Sequence, residues 1–201
     1  MTTMAPPLPM RFTPHTKSSP HLFSVDEYYR MITAGILNEG SKVELIRGEV
    51  VDNMSQGDSH SLCLELLTRL LLGLIPLPVS VRCQSPIALG NSLPEPDFTV
   101  CTSAKQRGGK HPTAPDVYIV IELSDSSLDK DRTTKLELYA ENGLAEYWIV
   151  NLPDDCVEVY TQPDAANLRY AMRVIYSRTQ SVPVTFGEQD FGALLVDSLL
   201  P

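Results

Sequence analysis

Three residues in the middle of the chain have side chains that metal-assisted phosphodiester hydrolysis uses. Asp97 follows a proline directly, Glu122 stands near the end of the apolar run VYIVIEL, and Lys135 lies in the helical stretch that follows. Mg²⁺ takes one or two protein carboxylates and keeps several waters. A bound ion polarises a phosphate and activates a water, and a lysine can stabilise the developing charge. We therefore predict Asp97, Glu122 and Lys135 as catalytic residues, with Mg²⁺ or Mn²⁺ as the cofactor.

Each of these residues also has an ordinary structural explanation. A Pro-Asp pair is common in a turn before a strand. Glu122 could face water at the edge of the sheet or pair with Arg132, and burial of its charge is costly unless it is paired or bound to a metal. Lys135 could form a surface ion pair with Asp131, one helical turn earlier. Taken singly, the residues leave both explanations open.

The elements around Glu122 predict how these side chains are positioned. Residues 117–123 are almost wholly apolar and β-branched, which is typical of a central strand buried on both faces. Residues 129–142 have a helical pattern closed by Gly143, and residues 146–151 form the next strand. Strand, helix and strand at this spacing predict parallel strands joined by a right-handed crossover.

The helical periodicity of residues 129–142 predicts which cations face the sheet. Arg132 and Lys135 lie on the same side as apolar positions such as Leu136, whereas Lys130 falls on the outward arc. Cations that face inward need an anionic partner. Glu122, at the end of the preceding strand, is the natural candidate.

The remaining elements complete an α/β domain over residues 23–201, preceded by a proline-rich tail, residues 1–22, that we expect to be disordered. A capping box at Ser24 and Glu27 begins a short helix. Residues 42–54 are predicted to form a hairpin that turns at Arg47 and Gly48. A leucine stripe that includes Leu62 and Leu66 predicts a helix over residues 56–74. Further strands are predicted over residues 79–89, 96–101, 156–160 and 168–176.

Composition limits the function classes. The chain has 201 residues, 43% of them hydrophobic, and a formal net charge of −9. This acidity argues against tight, non-specific binding to duplex DNA, although a local basic patch remains compatible with it. One basic cluster occurs, in the loop 102–115, with Lys105, Arg107, Lys110 and His111.

The chain also lacks features of a membrane or secreted protein. No apolar run is long enough for a membrane span, and no secretory signal opens the sequence. The four cysteines have no CxxC spacing, so neither a zinc site nor a disulfide framework is expected. Buried thiols in a reducing cytoplasm are the expected alternative.

Several segments, in order, resemble the Uma-type restriction endonuclease family of the PD-(D/E)XK nuclease superfamily. These segments are VELIRGEVV, SQGDSH, EPDFTV, VIELSDSSLDKDRTTKLELYAENGLAEYWIVNL and EVY. The resemblance covers residues 23–196 and is most specific over residues 121–152. It implies a restriction endonuclease-like fold, in which a mixed central β-sheet is flanked by the helices 56–74 and 129–142.

The resemblance also implies roles for single residues. Pro96-Asp97 matches the superfamily's PD, and Glu122 matches its second acidic position. Ser124 stands where the superfamily has lysine, and Lys135 matches the lysine that this family is thought to carry on the following helix. Glu44 matches a further acidic position near the metal. The candidates for contacting substrate or supporting the metal ligands are His60, Ser124 and Arg132.

Three functions are compatible with these residues. The first is a metal-dependent endonuclease that hydrolyses DNA phosphodiester bonds, and a homodimer would allow such an enzyme to cut both strands. The second is a catalytically inactive binding module that keeps the nuclease fold, which the net charge and the missing E-x-K lysine favour. The third is a phosphodiesterase acting on a small nucleotide, because fold-level similarity does not assign a substrate.

Overall fold

The computed structural model describes residues 19–38, 41–53 and 57–201. The helices in these ranges are α1 (Val25–Thr33), α2 (Asp58–Leu74), α3 (Leu128–Lys130) and α4 (Leu136–Glu141), with a π-helical turn (Asp131–Lys135) between the last two. The strands are β1 (Val43–Ile46), β2 (Glu49–Asp52), β3 (Ser80–Cys83), β4 (Phe98–Cys101), β5 (Val117–Ser124), β6 (Glu146–Asn151), β7 (Cys156–Asp164), β8 (Arg169–Ser177), β9 (Ser181–Phe186) and β10 (Gln189–Leu195). Most of the predicted tail lies outside the described residues, and residues 19–22 have no regular structure.

A mixed sheet of six described strands forms the centre of the fold, in the order β3-β4-β5-β6-β7-β8. β5 and β6 pair in parallel, and the other neighbouring strands pair antiparallel. The chain passes from β5 to β6 through α3 and α4, as the crossover pattern predicts. The predicted fold class is therefore confirmed.

The alternation of side chains along β5 separates two apolar layers. Ile119, Ile121 and Leu123 pack on one face of the sheet, together with α2 and the hairpin of β9 and β10. Val120 faces the other layer, which contains α4 and part of the β1–β2 hairpin. Because alternate residues share a face, Glu122 lies on the α4 side of the sheet.

The leucine stripe predicted on α2 is shifted in the structure. Cys63, Leu67 and Leu71 are buried against the sheet, whereas Leu62 is 45% exposed and Leu66 is half-buried. Leucines occur on several faces of this helix, so the apolar pattern alone does not fix its orientation. The helix begins at Asp58, and the predicted position Gln56 lies outside the described residues.

Other predicted boundaries also differ. The strand predicted over residues 79–89 ends at Cys83, because Gln84 has a φ of +43° and Pro86 follows it. The helix predicted over residues 129–142 contains the π-helical turn, which its sequence pattern did not reveal. All four cysteines are free, but Cys83 is exposed rather than buried. None of the helices in the described ranges has the length and hydropathy needed to cross a bilayer.

The predicted turn of the β1–β2 hairpin is confirmed at Arg47 and Gly48, which have φ values of +50° and +82°. Gly48 also lies against the chain that precedes α1, because its carbonyl accepts a hydrogen bond of 2.7 Å from the Phe23 amide. A Cβ at this position would lie 2.9 Å from the Leu22 Cβ and 3.0 Å from the Phe23 carbonyl oxygen.

Substitution of Gly48 by alanine is therefore expected to lower the free energy of unfolding by more than the cost of a positive φ, because the new Cβ also clashes with neighbouring atoms. Gly143, which follows α4, is the matched control, since its φ is +69° but a Cβ there meets nothing within 4 Å. Gly143→Ala should lower the free energy of unfolding by about 1 kcal/mol, the ordinary cost of positive φ. Gly48→Ala should lower it by about 2–4 kcal/mol, because the clash is added. Equal losses in urea denaturation would contradict the close approach at Gly48.

Candidate active site

Asp97 is held over the end of β5 by hydrogen bonds to both of its carboxylate oxygens. Oδ2 accepts a 2.8 Å hydrogen bond from the Leu123 amide and lies 3.1 Å from His60 Nε2, while Oδ1 accepts a 3.3 Å bond from Gln84 Nε2. The Asp97 amide donates to Glu122 Oε2 at 3.4 Å. Asp97, which directly precedes β4, therefore lies beside Glu122.

Glu122 is buried, and its Oε1 atom contacts two groups from the crossover helix. Tyr139 on α4 donates its hydroxyl hydrogen to this oxygen at 2.6 Å, and the Lys135 ammonium donates to it at 3.2 Å. Tyr139 is itself fully buried in the apolar layer on the α4 side. The predicted inward orientation of Lys135 is therefore observed, and no ion pair with Asp131 forms.

Glu44 on β1 is the closer partner of Lys135. Its Oε2 atom accepts a 2.7 Å hydrogen bond from Lys135 Nζ and a 3.2 Å bond from the Glu95 amide. Its Oε1 atom accepts a 2.7 Å bond from Lys130 Nζ. Two lysines thus join β1 to the helical segment, and one of them also contacts β5.

The π-helical turn accounts for the inward position of Lys130, which the regular helical pattern places on the outward arc. A π-helical turn widens the helix by one residue, so positions before and after it are not related by 100° per residue. Lys130, predicted on the outward arc, therefore reaches Glu44. Within the same turn, the Asp131 carboxylate accepts 2.6 Å hydrogen bonds from the hydroxyls of Ser124 and Ser127.

The pKa values of these groups follow from burial and from their neighbours. Burial is the main cause that raises the pKa of Glu122 to about 8; Lys135 opposes this rise, and Asp131 and Asp97 add to it. Burial alone would lower the pKa of Lys135, but Glu122 and Glu44 outweigh it and raise that pKa. Burial also favours the protonated form of Glu44, yet Lys135 and Lys130 hold its pKa below the usual value. The Lys135–Glu44 pair is therefore ionised at neutral pH.

A cavity of about 270 Å³ opens beside these residues. Among the described residues that line it, five carry carboxylates and two carry ammonium groups. The carboxylates belong to Glu95, Asp97, Glu122, Asp125 and Asp131, and the ammonium groups to Lys130 and Lys135. The excess of acidic over basic side chains favours a cation in the cavity.

The side chains that could hold a metal ion are Asp97 and Glu122. Within the described ranges, no three His, Cys, Asp or Glu side chains form a ready-made group of metal ligands. Two neighbouring carboxylates beside an open cavity instead fit an ion that keeps most of its waters, as Mg²⁺ does. These two carboxylates thus fit Mg²⁺ or Mn²⁺, the predicted cofactor, better than an ion that takes all its ligands from the protein.

Comparison with known proteins now identifies the family. The family model described as "Uma2: Putative restriction endonuclease" matches residues 25–193. The chain belongs to this Uma2 family. The resemblance inferred from the sequence is therefore confirmed. None of the curated proteins matches the chain.

A solved structure supports the fold of this Uma2 member. The crystal structure of "a putative nuclease belonging to DUF820" from Anabaena variabilis superposes with a TM-score of 0.66. The match covers 88% of this chain and 97% of the other, at 15% sequence identity. At 15% identity, this match shows only that the two proteins share a fold.

The structure brings the principal predicted residues of the Uma2 chain together. Asp97, Glu122 and Lys135 all line the same cavity, and His60 also lines it and contacts Asp97. Their catalytic roles stay predictions. Glu44, predicted as a metal ligand, is not among the lining residues, and its two oxygens are instead engaged by the lysines.

Arg132 contacts neither Asp97 nor Glu122, whereas Ser124 contacts Asp131, which lines the cavity. Arg132 does not pair with Glu122. It forms an ion pair with Glu158 on β7, and the Glu158 side chain is fully buried. Glu158 lies two strands away from Glu122 on the same row of the sheet, with Ile149 between them. Ser124 donates to Asp131 and so supports the loop before the helix.

Several residues that line the cavity were not predicted from the sequence, among them two acidic residues, a lysine and a glutamine. Gln84 and Glu95 line the cavity from the segments around β3 and β4, and Lys130 and Asp131 line it from the helix. The acidic pattern Glu95-Pro-Asp97 was a signal that could have drawn attention to Glu95. Gln84 had no such signal, because its inward position depends on its positive φ.

Substitution of Glu122 by glutamine is expected to change how stability depends on pH. Since the pKa of Glu122 is raised to about 8 in the folded chain, the folded state holds a proton that the unfolded state releases between about pH 4.5 and 8. The free energy of unfolding contributed by Glu122 therefore falls as pH rises through this window. Glu122→Gln removes that loss, so its stability relative to wild type should increase between pH 5 and 8.

Urea denaturation at several pH values in EDTA measures this difference. Lys135 keeps Glu44 as a partner in the variant, so the fold should be retained. Glu65→Gln, at an exposed position of α2, reports the general effect of removing a carboxylate. A difference between Glu122→Gln and wild type that stays constant from pH 5 to 8 would show that burial does not raise the pKa of Glu122.

Proposed function

We propose that this Uma2 protein is a metal-dependent endonuclease that hydrolyses DNA phosphodiester bonds. The observation that carries the proposal is the convergence of Asp97, Glu122 and Lys135 on one acidic cavity. Membership of the Uma2 family supports nuclease chemistry. The acidic surface of the cavity supports a metal ion, because a phosphate would otherwise be repelled.

Asp97 and Glu122 would hold Mg²⁺ or Mn²⁺. When bound, such an ion polarises the phosphate and lowers the pKa of a water. The hydrogen bonds from the Leu123 amide and from His60 fix the Asp97 carboxylate before any ligand arrives. Tyr139 fixes the Glu122 carboxylate in the same way. This arrangement limits the reorganisation that binding requires, which is a general requirement for efficient catalysis.

Lys135 would act on the phosphate or on the attacking water. Its ammonium is fixed by Glu44 and Glu122 and keeps its proton, because both carboxylates raise its pKa. A fixed positive charge in a buried site stabilises negative charge that develops on the phosphate oxygens. A protonated Lys135 would therefore stabilise charge on the phosphate or orient the attacking water.

Cleavage of supercoiled plasmid DNA with Mg²⁺ or Mn²⁺ tests the proposed activity. Asp97→Asn should lower the rate of nicking by about 10²-fold or more, corresponding to about 3 kcal/mol of lost transition-state stabilisation. Asp129→Asn is the matched control, because Asp129 is exposed on the same helical segment as Lys135 and does not line the cavity. Equal residual activity in wild type and Asp97→Asn would overturn the proposal.

A pair of lysine variants tests the role given to Lys135. Lys130 and Lys135 both bind Glu44, but only Lys135 contacts Glu122. Lys135→Gln should therefore lower kcat by about 10²-fold, whereas Lys130→Gln should lower it by about tenfold or less. Circular dichroism checks that both variants fold. Equal effects on kcat would show that Lys135 acts only through its ion pair with Glu44.

A further inference from the structure

The loop between β4 and β5 forms one side of a second groove, at the β3 edge of the sheet. The groove has a volume of about 630 Å³. Its basic side carries Arg82, Arg107, Lys110 and His111. Its apolar side includes Leu72 and Leu77, which are 62% and 90% exposed. Exposed apolar side chains beside clustered charge mark a surface that contacts a ligand or partner.

Arg82 supplies hydrogen-bond donors that the described residues do not satisfy. Its Nη1 atom is buried and has no hydrogen-bond partner, and its Nη2 atom lies 3.5 Å from His111 Nδ1. A buried donor without an acceptor is costly. Arg82 therefore brings to the wall of the groove a positive charge that no described acceptor fully satisfies.

The positive charge in the groove is not paired within the described part of the chain. Arg82, Arg107 and Lys110 form no ion pair among the described residues, although the protein has a formal net charge of −9. Arg107 donates to the backbone oxygens of Thr102 and Lys110 and so fixes the loop on which Lys110 stands. The loop therefore presents its cations in a set arrangement.

The groove is adjacent to the candidate active site. Arg82 precedes Gln84 by two residues, and β3 ends at Cys83, between them. Gln84 contacts Asp97, and Arg82 pairs in register with Thr99, two residues beyond Asp97. The groove and the cavity are therefore linked through neighbouring residues of β3 and of the chain that leads into β4.

We propose that this basic groove binds the phosphodiester backbone of the DNA strand whose scissile phosphate lies in the Asp97–Glu122 cavity. The inference rests on the proposed nuclease function. It assigns a substrate-binding role to Arg82 and Lys110, and it explains how an acidic protein can bind DNA next to its metal site. Cations of this kind bind phosphates without reading sequence.

Fluorescence anisotropy with a labelled DNA duplex tests the groove, with the salt concentration varied. The variants are made in an Asp97→Asn background so that bound DNA is not cut. Lys110→Gln should weaken binding and reduce the slope of log Kd against log salt by about 1, because one phosphate contact is lost. Adding Arg82→Gln should reduce the slope by about 2 in total. Lys105→Gln is the matched control, since Lys105 is exposed in the same loop but does not line the groove.

The outcomes separate the groove from the proposed catalysis. If the Lys110 and Lys105 variants bind DNA equally well, the groove proposal is overturned, even where Asp97-dependent cleavage of plasmid is observed. If Lys110 is needed for DNA binding but no cleavage occurs with Mg²⁺ or Mn²⁺, the groove stands and the nuclease proposal fails. Absence of both binding and cleavage would overturn both.

Discussion

The arrangement of the site depends on one buried ammonium group. Lys135 is 3% exposed and lies between Glu44 on β1 and Glu122 on β5. Its charge holds the hairpin and the crossover helix against the central sheet at the point where the carboxylates converge. Such an ion pair is costly to desolvate, so it contributes more to the position of these groups than to net stability.

The single ammonium group of Lys135 does not neutralise all the acidic side chains around it. Lys135 lies 2.7 Å from Glu44 and 3.2 Å from Glu122, and burial raises the pKa of Glu122 to about 8 despite this contact. A divalent cation between Asp97 and Glu122 would replace that proton and complete the charge balance. The acidic cavity, the fixed lysine and the basic groove beside β3 would then bind different parts of one phosphodiester chain.

The sequence predicted those parts of the fold and site that follow from local pattern. Hydrophobic periodicity predicted the buried strand with Glu122, the parallel crossover and the inward Lys135. The family resemblance predicted that Lys135 replaces the lysine that the superfamily has at the position of Ser124. Gln84 and Lys130 could not be predicted, because a positive φ and a π-helical turn decide their directions. Neither feature has a signature in the hydrophobic periodicity from which the elements were predicted.

Polar partners were the least predictable feature. Arg132 and Lys135 occupy similar positions in the helical pattern, yet Arg132 reaches Glu158 on β7 and Lys135 reaches Glu44 on β1. Both partners lie far away in the sequence. Sequence pattern shows that an inward cation needs an anion, but only the packing of the strands decides which anion it meets.

Calorimetric titration with Mn²⁺ tests the central claim most directly, namely that Asp97 and Glu122 together hold a metal ion. Wild type should bind one ion, and Asp97→Asn and Glu122→Gln should each weaken the affinity by at least about tenfold. Asp129→Asn should bind as wild type does. Unchanged Mn²⁺ affinity in both site variants, or no binding by wild type, would contradict the claim.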